Sequence, residues 1–83
     1  MKVKDVKQVL RPLNDIYEIG KVFVGAIPTD KYDFKFNSFE MFLEDIAVDE
    51  LEVIDIGNPV DYDVHGFRFI EEIDIWIKEE QND

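Results

Sequence analysis

Phe67-Arg68-Phe69-Ile70-Glu71-Glu72-Ile73-Asp74-Ile75-Trp76-Ile77-Lys78 is the stretch on which the fold turns. Phe67, Phe69, Ile73, Ile75 and Ile77 share a period of two, broken only by Glu71, as residues on one face of a strand do. Ile70, Ile73 and Ile77 also suit a helical period, so spacing alone admits both structures. Three isoleucines alternating with Asp74 and Trp76 favour the strand, because β-branched and aromatic side chains pack well on a pleated surface.

Working back from this strand, Leu51-Glu52-Val53-Ile54-Asp55-Ile56 reads as another, closed by Gly57-Asn58-Pro59. A helix precedes it. Asn37 or Ser38 supplies a cap, Glu40 suits the positive end of the helix dipole, and Phe39, Phe42, Leu43 and Ile46 recur at helical spacing. That helix is expected to fade near Asp49. Further upstream, Asp15–Ile19 and Val22–Ile27 flank Gly20-Lys21, a two-residue Gly-X connection of the kind that makes a type II′ hairpin. Gly25 marks a bulge, and Pro28-Thr29-Asp30 ends the second run.

The chain opens with Val3, Val6, Val9, Leu10 and Leu13, one apolar stripe on a short helix with Lys2, Lys4, Asp5, Lys7 and Gln8 on its wet side. Pro12 is expected to limit that helix. The inferred order is α-β-β-α-β-β. The expected fold is α+β, an antiparallel sheet with helices on one face. At 83 residues, residues 1–83 form a single small domain.

Composition narrows function by exclusion. Nine Lys+Arg against twenty Asp+Glu leave a net charge of −11, which opposes direct binding to nucleic acid or to an anionic membrane. There are no cysteines, which removes disulfides, thiolate metal sites and cysteine nucleophiles and favours a cytoplasmic home. The start of the chain alternates charges and lacks the apolar run of a signal peptide. One serine (Ser38), one threonine (Thr29) and one histidine (His65) are the other candidate nucleophiles and bases. Ser38 sits where a helix begins, a position at which serine caps. The glycines stand apart at positions 20, 25, 57 and 66 with no phosphate-loop motif around them. No catalytic constellation is visible, no cofactor is implied, and an enzyme is not expected.

Asp61-x-Asp63-x-His65-Gly66, with Glu72 beyond, overlays part of the calcium-loop pattern. His65 stands where an oxygen ligand belongs, Arg68 places a cation inside the span, and Pro59 occupies the approach where a helix should enter. The plainer reading is a solvated acidic turn, with calcium binding as a minor alternative.

Charge is unevenly distributed. Residues 1–36 carry seven basic and five acidic residues, whereas residues 37–83 carry two and fifteen. Such one-signed crowding is unfavourable for a small fold. Solubility is one account of it. The sharper account is a surface that meets a basic partner, with Glu44, Asp45, Asp49, Glu50, Asp61 and Asp63 as candidate partner-binding residues. Rows of carboxylates then stand in for the phosphates that a nucleic-acid-processing or defence enzyme would otherwise hold.

With Val3-Lys4-Asp5-Val6 at the start, Val22-Phe23-Val24-Gly25 in the middle and an Ile-rich acidic strand at the end, the chain resembles small acidic, cysteine-free proteins of bacteriophages and mobile elements of Gram-positive bacteria. Anti-CRISPR proteins and other host-directed inhibitors are among these. The resemblance implies a non-catalytic protein that works by stoichiometric binding. A self-associating structural domain, with exposed strand edges pairing between copies as a homodimer, is the competing expectation.

Overall fold

The computed structural model describes residues 1–27, 31–57, 60–64 and 67–78. Helix α1 spans Val3–Ile16 and buries Val3, Val6, Lys7 and Leu10. These positions fall at i, i+3, i+4 and i+7, one helical face. The expected stripe was misplaced at two points: Val9 is 61% exposed, while Lys7 is 5% exposed. Pro12 does not limit the helix, which runs four residues past it. Proline deprives the Gln8 carbonyl of its intrahelical donor, but Gln8 and Pro12 both lie on the exposed side, where water can serve instead. The helix closes on a Tyr17 N–H to Leu13 carbonyl bond of 2.7 Å. Asn14 Oδ1 then accepts the Ile19 N–H at 2.9 Å, fixing the turn into the sheet.

Five strands follow: β1 (Glu18–Ile27), β2 (Lys31–Phe36), β3 (Val53–Ile56), β4 (Val60–Val64) and β5 (Phe67–Lys78). Helix α2 (Phe39–Glu44) lies between β2 and β3. The fold is α+β, as expected, but the sheet is mixed and not antiparallel. Its order is β2-β1-β5-β3, with β4 also paired to β5. The expected hairpin at Gly20-Lys21 is replaced by one continuous strand, and the antiparallel partner of β1 is β2, with Val22 opposite Phe36 and Phe23 opposite Lys35. The register does shift between Val24 and Gly25, the bulge that Gly25 led us to expect.

β1 and β5 are parallel because that alignment sets their apolar residues side by side. Ile19 faces Ile70, Val22 faces Ile73, Val24 faces Ile75 and Ala26 faces Ile77. All eight are buried in one core cluster. In both strands the first buried residue precedes the next by three positions, an odd step, whereas strict alternation needs an even one. The strands therefore invert their facing together at Gly20 and Glu71. Gly20 permits this: a Cβ there would stand 2.8 Å from the Glu71 carbonyl oxygen. The inversion also explains why Phe67 is 76% exposed while Ile70 is buried.

β3 and β4 lie along the same edge of β5. Val60–Val64 pair with the first half of β5 and Val53–Ile56 with the second. Gly57 joins β3 to this edge through an N–H to Asp74 carbonyl bond of 2.6 Å. A Cβ at Gly57 would come within 3.1 Å of the Asp74 Cβ, a tight approach that favours glycine.

Both helices contribute to the same core. Phe42, with no exposed surface, holds its ring centroid 5.5 Å from Phe36 and 6.0 Å from Phe39, within the range of favourable tilted pairs. α2 is shorter than expected, ending at Glu44, and Ile46 is 81% exposed while Val48 is buried in its place. Asp45 stops the helix: its Oδ1 accepts the Ala47 N–H at 2.9 Å, a local turn that competes with helical bonding. Among the described residues, no helix is long and apolar enough to cross a membrane.

Candidate functional site

The acidic residues singled out from sequence divide into groups with different surroundings. Asp49 faces inward: Lys7 Nζ reaches its Oδ1 at 2.5 Å. The same ammonium donates to the Asp45 carbonyl at 2.5 Å and to the Leu43 carbonyl at 3.4 Å. It also stands 5.3 Å from the centroid of the Phe42 ring. Lys7 thus satisfies carbonyls at the C-terminal end of α2, where a cation also complements the helix dipole. Lys7 was expected on the wet side of its helix. It is instead a buried clamp between α1 and the segment after α2, and Asp49 completes it.

Glu50 is exposed and pairs with two cations. Lys2 Nζ lies 2.6 Å from one carboxylate oxygen and Lys4 Nζ 3.2 Å from the other. Hydrogen bonds from Lys2 and then Lys4 hold the Glu50 carboxyl below the usual carboxylate range, and the Glu50 hydrogen bond raises Lys2. Pairs this open to water add little stability. Their effect is on the surface field: the basic first helix partly neutralises the acidic stretch, so charge segregation along the sequence is only partly preserved in space.

Asp45 is half-buried and occupied by its turn. Glu44 is exposed on α2, as is Glu40 one turn earlier. Asp61 and Asp63 hold register positions in β4 opposite Ile70 and Arg68. Residues 61–64 of the expected acidic turn are therefore strand. β4 forms an antiparallel pair with β5 in which Val60 lies opposite Glu72, unlike the helix-flanked loop that encloses calcium in an EF-hand. Arg68 places Nη1 3.2 Å from the Tyr17 hydroxyl, with its guanidinium carbon 5.9 Å from the Tyr17 ring centroid. Among the described residues, no group of three metal-ligating side chains is placed to hold an ion. His65 lies outside the described residues. Ser38 caps α2, its hydroxyl oxygen accepting the Met41 N–H at 3.2 Å.

Sequence reasoning passed over Asp55, which is exposed on β3 and accepts the Ile56 N–H at 2.9 Å. The isoleucines beside it, Ile54 and Ile56, are 53% and 41% exposed. The sequence shows only an acid flanked by isoleucines, Ile54-Asp55-Ile56; that they lie exposed at a sheet edge is visible in the fold alone.

A separate carboxyl pair lies on β5. Glu72 and Asp74 project to the side opposite Ile73 and Ile75, by the alternation of a strand. Burial, the Asp74 charge and a hydrogen bond with Asp74 push the Glu72 carboxyl up, against the pull of Lys21. An acid raised in the folded state binds protons more readily there, so it weakens the fold as pH rises through its folded pKa. We expect Glu72→Gln to raise the melting temperature at pH 7. As pH falls and the raised wild-type carboxyl takes up its proton, the two proteins should melt closer together. Equal separation at every pH would show that the side chain acts by packing and not by charge. Comparison with family models, with curated proteins and with solved structures finds no match to the chain.

Proposed function

We propose that this chain is a non-enzymatic protein-binding module, a stoichiometric inhibitor or adaptor that engages a basic surface of a partner protein. The observation that carries the reading is the charge left over once the intramolecular pairs are formed. Lys2, Lys4 and Lys7 are matched to Glu50 and Asp49, while Glu40, Glu44 and Asp55 remain exposed. Asp61 and Asp63 add two acids in a stretch that has no Lys or Arg from Asn37 to Phe67. The chemistry that fits such a surface is a groove built for phosphates, as in a nucleic-acid-processing enzyme, with carboxylates as substitutes. The resemblance to phage and mobile-element proteins points to the same class of partner, a host defence enzyme included.

Asp49 is tied to Lys7, whereas Glu44 is exposed and Asp61 and Asp63 lie in the cation-free stretch, which gives two experimental groups. Glu44→Lys, Asp61→Lys and Asp63→Lys together should leave the melting temperature unchanged or raise it, because like-charge repulsion is relieved. Asp49→Lys should lower it, because Lys7 then meets a second cation. Against a panel of basic nucleic-acid-binding proteins, any partner found should lose at least tenfold in affinity to the triple variant, mainly through slower association. A triple variant that binds every partner as tightly as wild type, at all salt concentrations, would reduce the acidity to a solubility device.

A further inference from the structure

We infer that the edge formed by β3 and β4 is where the partner docks, and that it takes an extended basic segment of that partner as an added strand. This rests on the proposed binding reading and specifies its geometry. A sheet edge offers backbone donors and acceptors that a peptide can complete, with side-chain recognition supplied at alternate positions.

Three observations converge on this edge. Its composition is complementary to a cation-bearing strand: Asp55, Asp61 and Asp63 alternate with apolar or aromatic residues and no lysine or arginine interrupts them. Natural edges are commonly protected by lysine; β2, the opposite edge, carries Lys31 and Lys35. The acidic edge also exposes Ile54 and Ile56, apolar surface that an added strand would cover.

The chain itself supplies the second observation, because its own basic start lies along the upstream end of this edge. Lys2 forms an antiparallel bridge with Glu52, and the Met1 carbonyl accepts the Val53 N–H at 2.7 Å. Lys2 then sends its ammonium to Glu50. An extended segment carrying a cation, bonded through its backbone beside an acid, is the arrangement inferred for the partner, one step further along.

The third observation is at Ile56. Gly57 points its N–H to β5, so its neighbour Ile56 points the other way by strand alternation. There the Asp55 carboxylate accepts the Ile56 N–H. An incoming carbonyl can replace that carboxylate, and the displaced Asp55 is then free to pair with a cation of the incoming strand.

The probe is a capped pentapeptide alternating lysine and valine, titrated at low salt while backbone amide shifts are followed. Two further peptides carry N-methyl groups on the lysine amides or on the valine amides, removing donors from one edge of the peptide at a time. We expect shifts centred on Ile54–Ile56 and reaching at most the start of β4, as the length of a five-residue strand allows, and at least tenfold weaker binding for one methylated peptide but not the other. Asp55→Ala should weaken the parent peptide severalfold. Equal binding by all three peptides would overturn strand addition while leaving the acidic surface as a binding site. No binding by the parent peptide would overturn the binding reading together with the inference. Sedimentation showing copies that associate through this edge, and dissociate on Lys31→Glu with Lys35→Glu, would replace the partner segment by β2 of a second copy.

Discussion

Lys7→Met is expected to lower the stability of this protein by about 3 kcal/mol, the low end of the range for removing one partner of a buried ion pair, because the Asp49 side chain keeps 28% of its surface exposed. Methionine fills similar volume, so the loss is electrostatic and hydrogen-bonding in origin. The Asp49 carboxylate and the Asp45 and Leu43 carbonyls lose the ammonium that they share. At about 4–8 °C per kcal/mol for a domain of this size, the melting temperature should fall by more than ten degrees. Lys7→Met with Asp49→Leu should recover part of the loss, since the stranded charge is gone while the two carbonyls still lack their donor. A single variant within about 1 kcal/mol of wild type, the size of an ordinary surface pair, would show that Lys7 does not clamp the helices together.

Gly20→Ala is expected to destabilise the protein by about 1–3 kcal/mol, the range for overpacking a tight interior. The atom in the way is the Glu71 carbonyl oxygen, 2.8 Å from the Cβ position. It belongs to the backbone and cannot rotate aside as a flexible side chain would. Relief requires β1 and β5 to separate, and these two strands carry eight facing core residues. Gly25→Ala offers a comparison in the same strand at the bulge. Denaturant unfolding of Gly20→Ala should show a lowered midpoint with an unchanged slope. An unchanged midpoint would mean that the strands can part at Gly20 without loss, and the shared inversion would then have another cause.

Much of the fold was legible in the sequence, and the misreadings share physical reasons. β5 was readable because isoleucine at every second position is a strong signal. Glu71, which looked like a flaw in that pattern, marks the inversion opposite Gly20. Tyr32, Phe34 and Phe36 alternate with charged residues as a strand does, but the Gly20-Lys21 turn signal places the hairpin earlier and leaves β2 unread. Glycine beside a strand has two uses, a turn or a close backbone approach, and local sequence does not separate them. The parallel pairing of β1 with β5 was invisible for a different reason: it joins residues far apart in the chain. On α1 the expected stripe holds at Val3, Val6 and Leu10, with Leu13 packed against the core, and fails only at Val9 and Lys7, because a lysine is read as wet. Val3, Val6 and Leu10 already define a face on which Lys7 falls.

Of the candidate surface, the sequence shows the acids but not their surroundings. Crowded acids between Asn37 and Phe67 are a sequence fact, but their availability depends on what folds against them. Asp49 and Glu50 lie within reach of Lys2, Lys4 and Lys7 at the start of the chain, separated from them by more than forty residues. Asp55 was passed over because its interest comes from the edge it occupies.

The central claim is that the remaining acids replace phosphates on a basic partner, and competition tests it most directly. The protein is immobilised, exposed at low salt to a panel of nucleic-acid-binding proteins, and then challenged with duplex DNA. The account predicts a retained protein that DNA displaces in a dose-dependent way, that salt also releases, and that the Glu44, Asp61 and Asp63 reversal variant fails to hold. Retention that neither DNA nor salt disturbs, or equal retention by the variant, would contradict it.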